Sequence, residues 1–144
     1  MKVESILKMK GREVQTVSSD STVGAAVHKL STMGIGALVV SDDGQRVDGI
    51  VAEREIVRGL AKHGPRLLEV AVRDIMARSI PVCSPQDGIR DAMAVMTRSR
   101  NRHLPVVDDG KLCGLISVGD VVKHRLEEME LEASVLRDAA IRHR

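Results

Sequence analysis

The chain has 144 residues and a formal net charge of +2, enough length for one domain or two small packed ones and too little charge for a strong nucleic-acid field. Hydrophobic residues make up 43% and charged residues 29%, which excludes extended disorder, and no apolar run reaches the ~18 residues of a membrane helix. Phe, Tyr and Trp are absent, so bases cannot stack on aromatic platforms as they do in single-strand binders.

Met1-Lys2-Val3-Glu4-Ser5 carries charge and no apolar signal core, and the expected location is the cytoplasm. Residues 1–13 hold the apolar pair Ile6-Leu7, then Lys8-Met9-Lys10-Gly11-Arg12, which read as a terminal segment. Val14 to Val17 predicts a short strand and Ser18 to Ser21 a turn. From Thr22, apolar residues at Val23, Ala26, Val27, Leu30 and Met33 follow the 3.6-residue spacing of a helix that Gly34 ends. Ile35 to Val40 predicts a strand, Asp42-Asp43-Gly44 a turn, and Val47 to Val51 the return strand. A helix follows from about Glu53 to Lys62. Gly64-Pro65 breaks it, and Arg66 to Arg73 connects onward.

The order then starts again. Asp74-Ile75-Met76 echoes Ser5-Ile6-Leu7, and Ile80 to Cys83 predicts a strand matching the first. Ile89, Ala92, Met93 and Met96 repeat the helical stripe. His103 to Val107, the turn Asp108-Asp109-Gly110 and Leu112 to Ile116 repeat the hairpin, at an offset of about 66 residues. Two copies of a unit this small are expected to bury their sheets against one another. The division expected is 1–66, 67–126 and a helical extension over 127–144.

At Gly114-Leu115-Ile116-Ser117-Val118-Gly119-Asp120-Val121-Val122 a strand meets a helix. Ser117 and Asp120, three apart, read two ways. They form a capping box that satisfies the helix start. They also place a hydroxyl and a carboxylate beside free backbone N–H groups, suited to a sugar diol and a phosphate. The equivalent positions in the first unit are Ala52 and Glu55.

These paired segments, Gly49-Ile-Val-Ala-Glu-Arg-Glu-Ile-Val and Gly114-Leu-Ile-Ser-Val-Gly-Asp-Val-Val, with Arg102-His-Leu-Pro-Val-Val ahead of the second, resemble a tandem CBS-domain module of the cystathionine β-synthase type. The resemblance spans roughly residues 5 to 126. It implies an α/β (α+β) fold of two β-α-β-β-α halves about a pseudo-two-fold axis, and a regulatory rather than catalytic role. It also implies two clefts for adenosine-containing ligands: AMP, ADP, ATP, NAD(H) or S-adenosylmethionine. Carried onto this chain, Asp120 holds the ribose hydroxyls and Ser117 approaches ribose or phosphate, with Val118 and Gly119 between them. Ile80, Pro81 and Val82 are expected against adenine, and Leu104 and Pro105 on the opposite wall. Arg54, Arg102 and His103 are expected near phosphate, with a solvated surface arginine as the other reading of Arg54. Lys8 and Lys10 are further phosphate candidates. Glu55, Val14, Thr16, Gly36 and Ala37 make a second, weaker site, because Ala52 lacks the hydroxyl. The competing reading is a constitutive scaffold whose clefts have lost their ligand.

Gly34-Ile-Gly36 follows a helix and lacks a third glycine, so it is no dinucleotide fingerprint. The five histidines and two cysteines show no metal-ligand spacing, and no catalytic residue or metal site is expected. Cys83 and Cys113 are expected reduced and partly buried. From Val118 the final helix is predicted to run through His143, with Val122, Leu126, Met129, Ala133, Leu136 and Ala140 forming an apolar stripe. A stripe beyond the module needs cover, and a homodimer is expected, with a further regulated protein as the unknown partner and neither nucleic acid nor membrane.

Overall fold

The computed structural model describes residues 1–142. It opens with a helix, α1 (Val3–Lys10), where the sequence reading placed a terminal segment. Val3, Ile6 and Leu7 fall at i, i+3 and i+4 and are all buried, the spacing of one helical face. So short a helix is marginal alone and is held by tertiary contacts. The Val3 and Glu4 N–H groups donate to the carbonyls of Asp87 and Pro85, at 2.8 and 2.9 Å.

The first unit follows as β1 (Thr16–Val17), α2 (Val23–Met33), β2 (Ala37–Val40), β3 (Gly49–Ala52) and α3 (Glu53–His63). Thr22 caps α2 through its hydroxyl, which accepts from the Ala25 N–H at 3.1 Å, a contact worth about 1 kcal/mol. Gly34 ends the helix in the left-handed conformation. Strand β1 runs parallel to β2, which pairs antiparallel with β3. Short 3₁₀ turns over Gly64–Glu69 and Val72–Asp74 lead to the second unit.

That unit comprises α4 (Ile89–Ser99), β4 (His103–Asp108), β5 (Lys111–Ser117) and α5 (Val118–Arg142). The strand expected over Ile80 to Cys83 shrinks to one parallel bridge from Cys83 to Val106. Pro81 has no N–H to donate, and Ser79 takes a left-handed φ of 52°, so the chain joins the sheet only at Cys83. There the Cys83 N–H donates to Pro105 O and its carbonyl accepts from Val107 N–H, at 3.0 and 2.8 Å.

Two cores result, and each borrows from the other unit's lead-in. One joins Ile89, Ala92, Met96, Leu104, Val106, Ile116 and Val121 to Val3, Ile6 and Leu7 of α1. The other joins Val17, Ala26, Leu38, Val40 and Val51 to Val72, with Ile75 and Met76 packed against it. Gly49 and Gly114 mark the two crossings. A Cβ on Gly114 would stand 2.5 Å from Leu7 Cδ2, and one on Gly49 would stand 2.6 Å from the Ala77 carbonyl and 3.0 Å from Met76 Sδ. The echo of Ile6-Leu7 in Ile75-Met76 is thus an echo in space, and α1 packs by contact with the second unit.

Candidate functional site

Each unit ends in a strand that turns directly into a helix, and both junctions use the third helical residue in the same way. The Ser117 N–H donates to Asp120 Oδ2 at 2.8 Å, and the Asp120 N–H donates to Ser117 Oγ at 3.1 Å. This is a complete capping box. At the first junction the Ala52 N–H donates to Glu55 Oε1 at 3.0 Å. Ala52 has no side-chain acceptor, so only half of the reciprocal arrangement exists there.

A cation completes each carboxylate. Lys10, at the end of α1, reaches Asp120 Oδ2 at 2.7 Å and the Leu115 carbonyl at 2.9 Å. Arg54 reaches Glu55 Oε2 at 3.1 Å through Nε. Its other nitrogens cross to the second unit, meeting the Arg100 carbonyl at 3.1 Å and Asn101 Oδ1 at 2.7 Å. Glu55 is only 4% exposed. Arg54 is therefore a strut between the units, which neither sequence reading of it anticipated.

Burial raises the Asp120 carboxyl's pKa, but the Lys10 ammonium and the Ser117 donors together outweigh burial and hold it below the ordinary 3.8. His103 lies between the two junctions. Burial lowers its pKa first, and the Lys10 and Arg102 charges add to that against Asp120 and Glu53. A neutral ring with a donor and an acceptor edge results near neutral pH.

Two cavities flank His103. The one beside Ser117 is about 270 Å³ and is lined by Lys10, Glu13, Val14, Gln15, Ile35, Gly36, Ala37, His103 and Leu115 as well. The other is about 540 Å³ and takes in Gly36, Ile50, Ala52, Glu53, Arg54, Glu55, Val57, Arg58 and Arg100 to His103.

The sequence reading grouped wall and junction within one unit, and the geometry pairs them across units. Val14, Gly36 and Ala37, expected beside Glu55, line the Ser117 cavity, because α1 draws the segment after it alongside β5. Gly36 also borders the second cavity. Ile80, Pro81 and Val82, expected beside Ser117, line neither cavity, and Val82 is 46% exposed. Leu104 is buried in the core, Pro105 is buried next to it, and neither forms a wall. Thr16 accepts from Lys29 Nζ at its carbonyl, at 2.7 Å, and lines neither of these cavities. Arg102 borders the larger cavity only. Val118 donates its N–H to the Arg102 carbonyl at 2.8 Å, and Gly119 sits exposed in the first helical turn. Lys8 is exposed on α1. Glu13, Gln15 and Arg58 were missed; Glu13 and Gln15 flank Val14, and Arg58 lies one helical turn after Arg54.

Cys83 and Cys113 are both unpaired thiols. Burial, helped by Asp87 and Cys113, pushes the Cys83 pKa up to about 12, which leaves an inert thiol. Among the described residues no cluster suits a metal ion, and no helix is long and apolar enough to cross a membrane.

Comparison with known proteins agrees with this architecture. The chain is 32% identical over 146 residues to a mitochondrial CBS domain-containing protein of Arabidopsis thaliana, covering 92% of this chain and 71% of that one. The crystal structure of a CBS-domain containing protein from Agrobacterium tumefaciens is 40% identical, with a TM-score of 0.83 over 87% of this chain and 99% of that one. A CBS domain pair crystallised with 5′-methylthioadenosine and S-adenosylmethionine shares the fold, with a TM-score of 0.76 at 21% identity over 85% of this chain and 98% of that one. The CBS domain family model matches twice, over residues 3–62 and 72–127. With the repeat, the crossed lead-ins and the paired junctions, these matches make the chain a member of the CBS-domain family, a tandem pair.

Proposed function

We propose that this chain is a regulatory module that binds an adenosine-containing ligand (AMP, ADP, ATP or NAD(H)) at the Ser117–Asp120 junction and passes occupancy to a protein partner. The observation that carries this is that Ser117 and Lys10 line one cavity with Val14, Gly36 and Ala37 and both bond Asp120, which stands behind them and lines neither cavity. Asp120 Oδ2 is already held by the backbone, which fixes the carboxylate and leaves Oδ1 to accept from a ribose hydroxyl. Lys10 offers its charge to phosphate, and with no aromatic ring in the chain the adenine lies on aliphatic walls. A relative of the same fold crystallised with two adenosine-type ligands supports the ligand class.

Ligand at this place touches both units. It shifts only an equilibrium between arrangements that it binds unequally, and Lys10 is a natural coupling point because it must share or leave Asp120. The units act as residues 1–66 and 67–126, with 127–144 as an extension. The protein works in the cytoplasm as a homodimer and carries no catalytic step. The Glu55 cavity, with no hydroxyl at Ala52 and Arg54 committed to Asn101, is the weaker site.

One observation favours a second reading. The capping box and Lys10 satisfy Asp120 without any ligand, as a constitutive scaffold would require. Calorimetric titration with AMP, ATP, NAD(H) and S-adenosylmethionine separates the two. Binding that Asp120→Ala abolishes supports the sensor, and no heat with any of the four supports the scaffold.

A further inference from the structure

Helix α5 spans 25 residues, roughly 37 Å, and its buried residues, Val121 and His124, lie in its first two turns. Along the opposite side Val122, Leu126, Met129 and Leu136 stand exposed, Leu136 at 71%. With Ala133 and Ala140 they recur at alternating spacings of four and three, the seam of a two-stranded coiled coil. We propose that the C-terminal part of α5 pairs in parallel and in register with the same helix of a second copy of this chain. This rests on the homodimer reading above and specifies its contact.

Charge complementarity identifies the occupant. In this frame Arg125 and Glu132 fall on one flank of the seam, and Glu130 and Arg137 on the other. A parallel pair sets Glu132 against Arg137 of the partner subunit and Arg125 against Glu130 of the partner subunit, each twice by symmetry. Within one helix 132 and 137 do not face each other; Glu132 lies 3.7 Å from Arg125 of the same chain, whereas Arg137 meets no carboxylate among the described residues. Antiparallel registers do worse: the one that covers the whole seam sets Glu130 against Glu130 of the partner subunit and Glu132 against Glu132 of the partner subunit, and a shift of one heptad either way leaves one end of the seam uncovered. The anchoring of the helix base favours association as well. Glu128 receives both Arg125 and the Met1 ammonium at 2.6 Å, so the helix leaves the module in a fixed direction and pairing has less freedom to remove.

Three variants of the full-length chain test the pairing. Leu136→Cys in a Cys113→Ser background places a thiol on the seam, and mild oxidation should link two copies through residue 136. Glu132→Arg and Arg137→Glu should each weaken the dimer several-fold by analytical ultracentrifugation, and the double swap should restore it. A dimer that neither cross-links through residue 136 nor responds to the charge reversals overturns the helix pairing and leaves the homodimer standing. A monomer at every concentration overturns both.

Discussion

Lys10 Nζ lies 2.7 Å from Asp120 Oδ2, and this contact ties the first helix of the chain to the first turn of its last. Lys10 is half exposed and Asp120 a quarter exposed, so the pair contributes modestly to stability. Its interest is positional. The ammonium sits beside the carboxylate that we propose for ribose, and we propose it for the ligand's phosphate.

Removing that charge should therefore discriminate between ligands. Lys10→Met is expected to weaken AMP or ATP binding by about tenfold while leaving adenosine binding nearly unchanged. Calorimetry on the two ligand types reads the difference. Equal losses for AMP and adenosine would remove Lys10 from phosphate recognition.

Asp120 sets an acid dependence. A carboxyl whose folded pKa lies below its unfolded value contributes stability that is complete above the unfolded pKa and is lost as pH falls through the folded one. Asp120 is lowered from 3.8. Relative to Asp120→Asn, the wild-type chain should lose denaturation midpoint as pH is taken from about 5 to about 2. Parallel curves for the two proteins would contradict the shift.

Ala52 is the missing half of a cap. Ala52→Ser should supply the acceptor that Ser117 supplies in the second unit, raising stability by about 1 kcal/mol, read as a higher midpoint in urea. No gain would mean that the Glu55 half-box already satisfies the start of α3.

Gly49 is required by contact rather than by backbone conformation. A methyl group there meets the Ala77 carbonyl at 2.6 Å, a backbone atom that cannot swing aside. Gly49→Ala should cost about 1–3 kcal/mol and loosen the edge where residues 77 and 50 exchange hydrogen bonds, visible as faster amide exchange at Ile50 and Ala77.

Much of this was legible in the residues. Helical stripes, hairpin turns and the Ser117/Asp120 spacing are local signals, and the repeat doubled each of them. α1 was also written locally, in Val3, Ile6 and Leu7, but it is too short to stand out from a terminal segment without the core it fills. The expected strand at Ile80 to Cys83 failed because Pro81 outweighed the pattern of its counterpart. The pairing of Val14, Gly36 and Ala37 with Ser117 was not legible. It depends on each lead-in crossing to the other unit, and crossing is a property of assembly that no local window carries.

The central claim is tested most directly by equilibrium dialysis against AMP, ATP, NAD(H) and S-adenosylmethionine, read by ultraviolet absorbance. A chain without Phe, Tyr or Trp contributes almost nothing to the adenine band, so retained ligand is seen without correction. The account predicts retention of at least one phosphorylated adenosine ligand by the wild-type chain, its loss in Asp120→Ala, and weakening in Asp120→Asn, which keeps the cap but not the charge. Retention of none of the four, or equal retention by all three proteins, would contradict it.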